Sequence, residues 1–164
     1  MSNSGSTKKL NWQEAVARLA RERTAAETCV ALLKKRGDAA AIDRGALAYG
    51  EAKAEYDGII AGLIVALAQK AAPASLPDIE ARLRRGIEKR EAFCLSVQAL
   101  VPAQHEGEKG WIEDVVKSAV GPLVDAIKAI WLRGRDDDAQ VRKTIETQLE
   151  ATAWPEFAAI KPGP

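Results

Sequence analysis

The side chains that most often carry out acid–base, nucleophilic or metal chemistry are few in this chain. It contains one histidine, His105, and two cysteines, Cys29 and Cys94. One histidine cannot supply the imidazole ligands of a catalytic zinc site, and a site built from all three residues would have to combine two helices with a loop. Serine hydrolysis would again depend on His105, and no G-x-S-x-G sequence is present. We therefore predict no catalytic residue, no metal ligand and no cofactor.

Acidic and glycine-rich motifs lead to the same prediction. No glutamate is followed by a histidine three residues later, as the carboxylate di-metal sites of helical bundles require. The acids of Asp136–Asp138 are consecutive, whereas an EF-hand loop places its acids at alternate positions. Neither G-x-x-x-x-G-K-S/T nor G-x-G-x-x-G occurs, so the sequence does not support nucleotide binding.

One group of polar residues has a spacing that could line a ligand pocket. Tyr49, Glu51, Lys53 and Tyr56 lie close together in one predicted helix. At their ordinary pKa values neither tyrosine nor lysine titrates near neutrality, which argues against acid–base catalysis. A small ligand-binding bundle is therefore an alternative hypothesis, and a core that contains two tyrosines with satisfied hydroxyl groups is the competing interpretation.

Basic residues on one predicted helix raise the question of nucleic-acid binding. Arg82, Arg85 and Lys89 share a face, with Arg84 beside them, and such a stripe can contact phosphate groups. Glutamates are interleaved with them, and no aromatic residues lie among them to stack on bases. Lysine and arginine together number 24 against 23 aspartates and glutamates, so the net charge is only +1. We expect ion pairs within that helix and no nucleic-acid partner.

The elements that position these residues are predicted to be helices, because apolar residues recur every three or four positions. Capping residues, glycines and prolines indicate their ends. Predicted starts are Asn11, Asp38 or Asp43, Ser75, Gly110 and Asp136–Asp138, and predicted ends are Arg36, Ala71, Pro102 and Gly134. Arg23 interrupts the apolar stripe of the first helix, and Arg90 interrupts that of the third. The segment from Trp154 to Ile160 is expected to fold back over the helices.

The predicted fold class is all-α, because no segment alternates apolar and polar residues as a half-buried strand does. We expect a bundle of four long helices plus a shorter C-terminal helix, mostly antiparallel and with short loops. The predicted domain covers residues 11–160, with a flexible tail over 1–10 and a loose C-terminus over 161–164. Pro122 in the middle of the fourth helix predicts a kink or a break there.

Apolar stripes on the second and fourth helices indicate contact surfaces. The second helix repeats apolar residues with a coiled-coil period, and Gly58 and Gly62, four residues apart, predict a close helix crossing. The fourth helix and its ends supply the partner-binding candidates, which are Trp111, Ile127, Ile130, Trp131 and Leu132. We predict a non-catalytic helical module for protein–protein interaction or assembly, whose partner is another protein or a second copy of the chain.

A membrane-apposed or membrane-acting protein is the alternative that we favour less. The sequence Gly58-x-x-x-Gly62 resembles the small-residue motif by which helices pack in lipid. The longest uncharged apolar run, however, covers only residues 58–69, whereas about 20 residues are needed to cross a bilayer.

The cysteines and the N-terminal sequence bear on the compartment. The first residues are polar and no apolar signal segment follows them, and two cysteines are few for a secreted scaffold. We therefore expect a cytoplasmic protein. Cys29 and Cys94 are predicted to be buried free thiols, and they can pair only if the two helices that hold them are neighbours.

Overall fold

The computed structural model describes residues 4–68, 76–102 and 139–163. Over these ranges the chain forms four α-helices and one short 3-10 helix, and it contains no strand. The elements are α1 (Ser4–Arg36), α2 (Ala39–Ala68), α3 (Leu76–Gln98), α4 (Ala139–Glu150) and η1 (Phe157–Ala159). The predicted all-α class is confirmed for these residues.

Several predictions concern residues outside these ranges. They include the helix expected between Gly110 and Gly134, the kink at Pro122, and His105. The partner-binding candidates also lie outside the described residues, namely Trp111, Ile127, Ile130, Trp131 and Leu132.

The turn between α1 and α2 follows directly from its residues. Gly37 ends α1 as predicted, and its N–H donates to the carbonyl oxygen of Leu33 at 2.7 Å. Of the two predicted caps, Asp38 is the one used, since its Oδ1 accepts a hydrogen bond from the N–H of Ala41 at 2.8 Å. That bond satisfies one of the donors that a helix leaves unpaired in its first turn.

The start of α1 differs from the prediction. The helix begins at Ser4 and not at Asn11. A good capping residue lowers the free energy of a helix start, but asparagine within a helix costs only about 0.7 kcal/mol relative to alanine. Asn11 therefore does not oblige the chain to leave the helical conformation before it.

The inner face of α2 forms the centre of the core. Most residues of its heptad stripe, which we expected to form a contact surface, are buried in the core instead: Gly45, Tyr49, Ala52, Tyr56, Ile59 and Leu63. Ala41, Glu55, Ile60 and Leu67 of the same helix are buried as well. The facing residues of α1 include Leu19, Ala26, Val30 and Leu33, and those of α3 include Leu83, Ile87, Cys94 and Val97. Each long helix contacts the other two. Since fully burying a leucine or isoleucine contributes about 1.5–3 kcal/mol, these faces dominate the stability of the fold.

Two glycines face side chains of a neighbouring helix. A Cβ atom on Gly45 would overlap Cδ2 of Leu33, and one on Gly86 would lie 3.1 Å from Cε2 of Tyr56. At Gly58, where a crossing was predicted, the guanidinium of Arg82 occupies the position that a Cβ atom would take. The neighbour of Gly58 is therefore a side chain of α3.

The C-terminal segment folds back over the helices, as predicted. Trp154 is buried and its ring stacks on that of Tyr56, with centroids 4.5 Å apart. Lys34 of α1 donates hydrogen bonds to two carbonyl oxygens of the segment. Beyond them, the N–H of Gly163 donates to the carbonyl oxygen of Ala31 at 3.2 Å.

Replacement of the α2 cap tests the turn. We expect Asp38→Ala to lower the free energy of unfolding by about 1 kcal/mol, because the N–H of Ala41 loses its acceptor. Asp38→Asn keeps an oxygen at this position and should change it far less. Urea unfolding measures both. Asp43→Ala, an exposed aspartate of the same helix, is the control, and an equal loss in this variant would contradict the assignment of the cap.

Candidate functional site

An ion pair lies inside the core where α1, α2 and α3 meet. Arg90 of α3 is fully buried, and its Nε donates to Oε1 of Glu22 at 2.7 Å. Glu22 of α1 is only 5 % exposed. The hydroxyl of Tyr56 from α2 donates to the same carboxylate oxygen at 2.5 Å. The arginine that interrupts the apolar stripe of α3 is therefore matched by an acid on another helix.

The buried charges of Arg90 and Glu22 stabilise each other because the two groups are in contact. Burial disfavours the charged guanidinium, but the carboxylate of Glu22 outweighs that effect, so the pKa of Arg90 is raised. Burial, followed by the nearby negative charge of Glu22, raises the pKa of Tyr56 well above its ordinary value. The phenol therefore stays protonated and acts as a hydrogen-bond donor. It is not suited to acid–base chemistry near neutral pH.

Two thiols adjoin the ion pair. The sulfur atoms of Cys29 and Cys94 lie 2.7 Å apart, and both residues are free and fully buried. The NH1 group of Arg90 donates to Sγ of Cys94 at 3.6 Å. The prediction of buried free thiols is confirmed, and the condition for their pairing is met because α1 and α3 are neighbours.

The surroundings distinguish the two sulfur atoms. The hydrogen bond from Cys29 lowers the pKa of Cys94, burial raises it, and the positive charge of Arg90 lowers it again, with a net decrease. The pKa of Cys29 is raised, first by that hydrogen bond and then by burial. Because NH1 of Arg90 contacts Cys94, the guanidinium stabilises a thiolate on this sulfur.

The ring of Trp154 closes this region from the C-terminal segment. It lies against Tyr56 and also against Tyr49, whose ring centroid is 5.3 Å away. The indole Nε1 of Trp154 is buried, and within the described ranges it has no hydrogen-bond partner. An unsatisfied buried donor costs about 1–3 kcal/mol, and aromatic pairs such as these contribute about 0.5–1.5 kcal/mol each.

A second charged cluster lies at the contact of α2 with α3. The carboxylate of Glu55 accepts hydrogen bonds from Lys89 at 3.0 Å and Arg85 at 3.2 Å, and NH1 of Arg82 is 3.6 Å away. We expected these cations to pair with glutamates of their own helix. They pair with α2 instead, because the packing of α3 on α2 brings their side chains over Glu55.

The pKa of Glu55 reflects two opposing effects. Burial raises it, but the hydrogen bonds from Lys89 and Arg85 and their positive charges lower it by more, so the net shift is downwards. The glutamate is therefore ionised at neutral pH and neutralises part of the basic stripe.

The four residues considered for a ligand pocket do not share one cavity. The hydroxyl of Tyr49 donates to the carbonyl oxygen of Pro155 at 2.5 Å, and Tyr56 faces Glu22 as described. Lys53 donates to Asp57 at 2.8 Å on the surface of α2. Glu51 is exposed on a different side of α2 from Lys53, and it lines the surface between α2 and α3.

That surface is a groove of about 320 Å³ between the first half of α2 and the second half of α3. Its apolar lining includes Leu33, Phe93 and Leu100, and charged side chains such as Arg44 and Glu51 border it. Within the described ranges, no group of three or more histidine, cysteine, aspartate or glutamate side chains is arranged to hold a metal ion.

The helices in the described part of the chain lack the combined length and apolarity needed to traverse a bilayer.

Comparison of the chain with protein-family models, curated proteins and solved structures finds no match.

The buried ion pair can be tested by removing one charge and then both. We expect Arg90→Met to lower the free energy of unfolding by about 3–5 kcal/mol, because it removes the guanidinium from a carboxylate that stays buried. The double variant with Glu22→Met should recover much of that loss. Urea denaturation of the two variants and the native chain gives the comparison. A double variant no more stable than Arg90→Met would contradict this account of the pair.

The Glu55 cluster predicts a dependence of stability on pH. Because the folded-state pKa of Glu55 lies below its ordinary value of 4.5, its contribution is present above that pH and is lost as the pH falls through the folded value. Glu55→Gln should therefore cost about 1 kcal/mol at pH 7 and less at pH 3. Thermal unfolding at both pH values measures this, with the exposed Glu88→Gln as control. A cost that is equal at both pH values would count against it.

Proposed function

We propose that this chain is a non-catalytic helical interaction module that associates with a second copy of itself through the outer face of α2. The outer face is defined by the exposed apolar positions Ala40, Leu47, Gly50, Ala54, Ala61 and Val65. They recur at spacings of three, four and seven residues, as in a coiled-coil seam, and the exposed Asp43 and Asp57 occupy the positions between them. The observation that carries the proposal is this second apolar stripe, which remains in water after the first has formed the core.

The exposure of Leu47 makes it the centre of the proposed contact. Its side chain is 68 % exposed, the largest value among the large apolar residues that the structure describes. Val65, towards the other end of the same face, is 50 % exposed. An apolar stripe at helical spacing that is left in water is typical of a surface that packs against another helix.

Gly50 supports close approach of a second backbone. Among the described residues, a Cβ atom here would meet nothing within 4 Å, in contrast to Gly45 and Gly86, where neighbouring side chains lie close. Glycine in the middle of a helix costs about 1 kcal/mol relative to alanine. The described residues leave this space open, so it has room for a partner helix.

The charges on the outer face favour a second copy as the partner. Arg44 and Glu51 are both exposed and lie on either side of Leu47 and Ala48. If two copies of α2 lie antiparallel about a two-fold axis between these central residues, Arg44 of each copy faces Glu51 of the other. The two helices then overlap over residues 39–56, and Ala61 and Val65 lie beyond the overlap. Such self-complementarity is what a two-fold interface requires. The net charge of +1 opposes association only weakly.

The arrangement of the helices is consistent with this use of α2. On α1 and α2, Leu33 lies against Gly45 and Glu22 lies against Tyr56, so the contacts run in opposite directions along the two helices. Contacts between α2 and α3 follow the same rule. We infer an antiparallel bundle in which the inner face of α2 serves the core and its outer face is free for a partner.

The partner-binding residues predicted from the sequence lie outside the described ranges, and the proposal does not depend on them. Trp111, Ile127, Ile130, Trp131 and Leu132 remain predicted partner-binding residues. A cytoplasmic location also remains a prediction, and the membrane-apposed and ligand-binding hypotheses remain alternatives to the interaction module.

The molar mass in solution tests the proposal. We expect the native chain to have twice the mass of 17.6 kDa by light scattering or sedimentation equilibrium. Leu47→Glu should yield the monomer, because it places two carboxylates at the centre of the interface. Leu95→Glu, at an equally apolar position of α3 that is 50 % exposed, should leave the dimer intact.

The charge pair gives a sharper test of the geometry. Arg44→Glu and Glu51→Arg should each weaken the dimer at least tenfold, because each brings like charges together, and the double variant should restore it. A native chain that stays monomeric at millimolar concentration would contradict self-association. A double variant as weak as the single variants would contradict the antiparallel pairing.

A further inference from the structure

We propose that Cys29 and Cys94 are an oxidisable thiol pair that closes to an intramolecular disulfide and links α1 covalently to α3. The two sulfur atoms are 2.7 Å apart in the reduced chain. A disulfide bond is about 2.05 Å long, so the sulfurs need to approach by only about 0.7 Å. The two residues lie on neighbouring helices, and both are fully buried in the core.

The surroundings assign different roles to the two cysteines. Cys94 accepts hydrogen bonds from Cys29 and from NH1 of Arg90, and Glu22 holds that guanidinium in place. A positive group that donates to a sulfur stabilises its thiolate, and the thiolate is the reactive form. Cys94 is therefore the sulfur that attacks the oxidant, and Cys29 is the one that resolves the intermediate.

Hydrogen peroxide is the chemical class of oxidant that suits this site. The Cys94 thiolate attacks one peroxide oxygen, so that an S–O bond forms, the O–O bond breaks, and hydroxide leaves and is protonated to water. Cys29 then attacks the sulfur of the sulfenic acid. The S–S bond forms, the S–O bond breaks, and hydroxide leaves with the proton of Cys29 as a second water. Two thiols are oxidised by two electrons and one peroxide is reduced.

Burial makes the pair selective among reagents. Both cysteines have no exposed surface, so a bulky thiol reagent reaches them only when the helices separate. Peroxide is close to water in size and requires a much smaller opening. We therefore expect oxidation by peroxide under conditions in which an aromatic disulfide reagent does not react with the folded chain.

The experiment uses the full chain, reduced and then treated with hydrogen peroxide. We expect the intact mass to fall by about 2 Da, which is the loss of two hydrogens, and peptide mapping without reductant to place the bond between the two cysteines. Dithiothreitol should restore the original mass. The oxidised chain should unfold at a higher urea concentration than the reduced one, because the cross-link restricts the unfolded state.

Single cysteine variants test the order of the steps. In Cys29→Ala, peroxide should leave a sulfenic acid on Cys94 that dimedone traps once the chain is unfolded in urea, whereas Cys94→Ala should react at least tenfold more slowly at Cys29. Unfolding curves of both variants in the reduced state establish that they fold. The proposal is overturned by a native chain whose mass does not change, by a bond between two chains and not within one, or by faster trapping at Cys29 than at Cys94.

Discussion

The contact between Arg90 and Glu22 is the constraint on which the rest of the structure depends. Both charges lie in the core, and a guanidinium is tolerated there only while a carboxylate stays within hydrogen-bond distance of it. A shift of α3 along α1 by one residue would break that contact and place a charge against apolar side chains. The pair therefore fixes which residues of the two helices meet. The positions of Cys29 and Cys94 follow from it.

Tyr56 extends the same constraint to α2 and to the C-terminal segment. Its hydroxyl group contacts Glu22, and its ring lies under Trp154. One side chain thus joins three helices to a segment that follows them in sequence. Gly86, beside that ring, keeps α3 close enough for its cations to reach Glu55. The inner face of α2 is committed to the core in this way, and only its outer face is left to contact another molecule.

The two proposals concern separate parts of the molecule. Self-association uses the exposed outer face of α2, around Leu47 and Gly50, and the thiol pair lies between α1 and α3 on the other side of the core. Neither requires the other, because the sulfur atoms make no contact with the outer face. Both features have the same physical cause: helices that pack in a fixed register bring specific side chains together.

The sequence by itself determined the helices and their inward faces. The period of three or four residues, Gly37 and the Asp38 cap depend on local contacts, so the fold class, the turn between α1 and α2 and the burial of Tyr49, Cys29 and Cys94 could be predicted. Spacing alone did not determine partners between helices. Arg90 looked like an interruption because its acid lies 68 residues away on another helix. The partners of the α3 cations and the exposure of Leu47 likewise depend on how the helices are rotated and displaced against one another. That arrangement is set by the packing of all the faces together, and only the tertiary structure decided it.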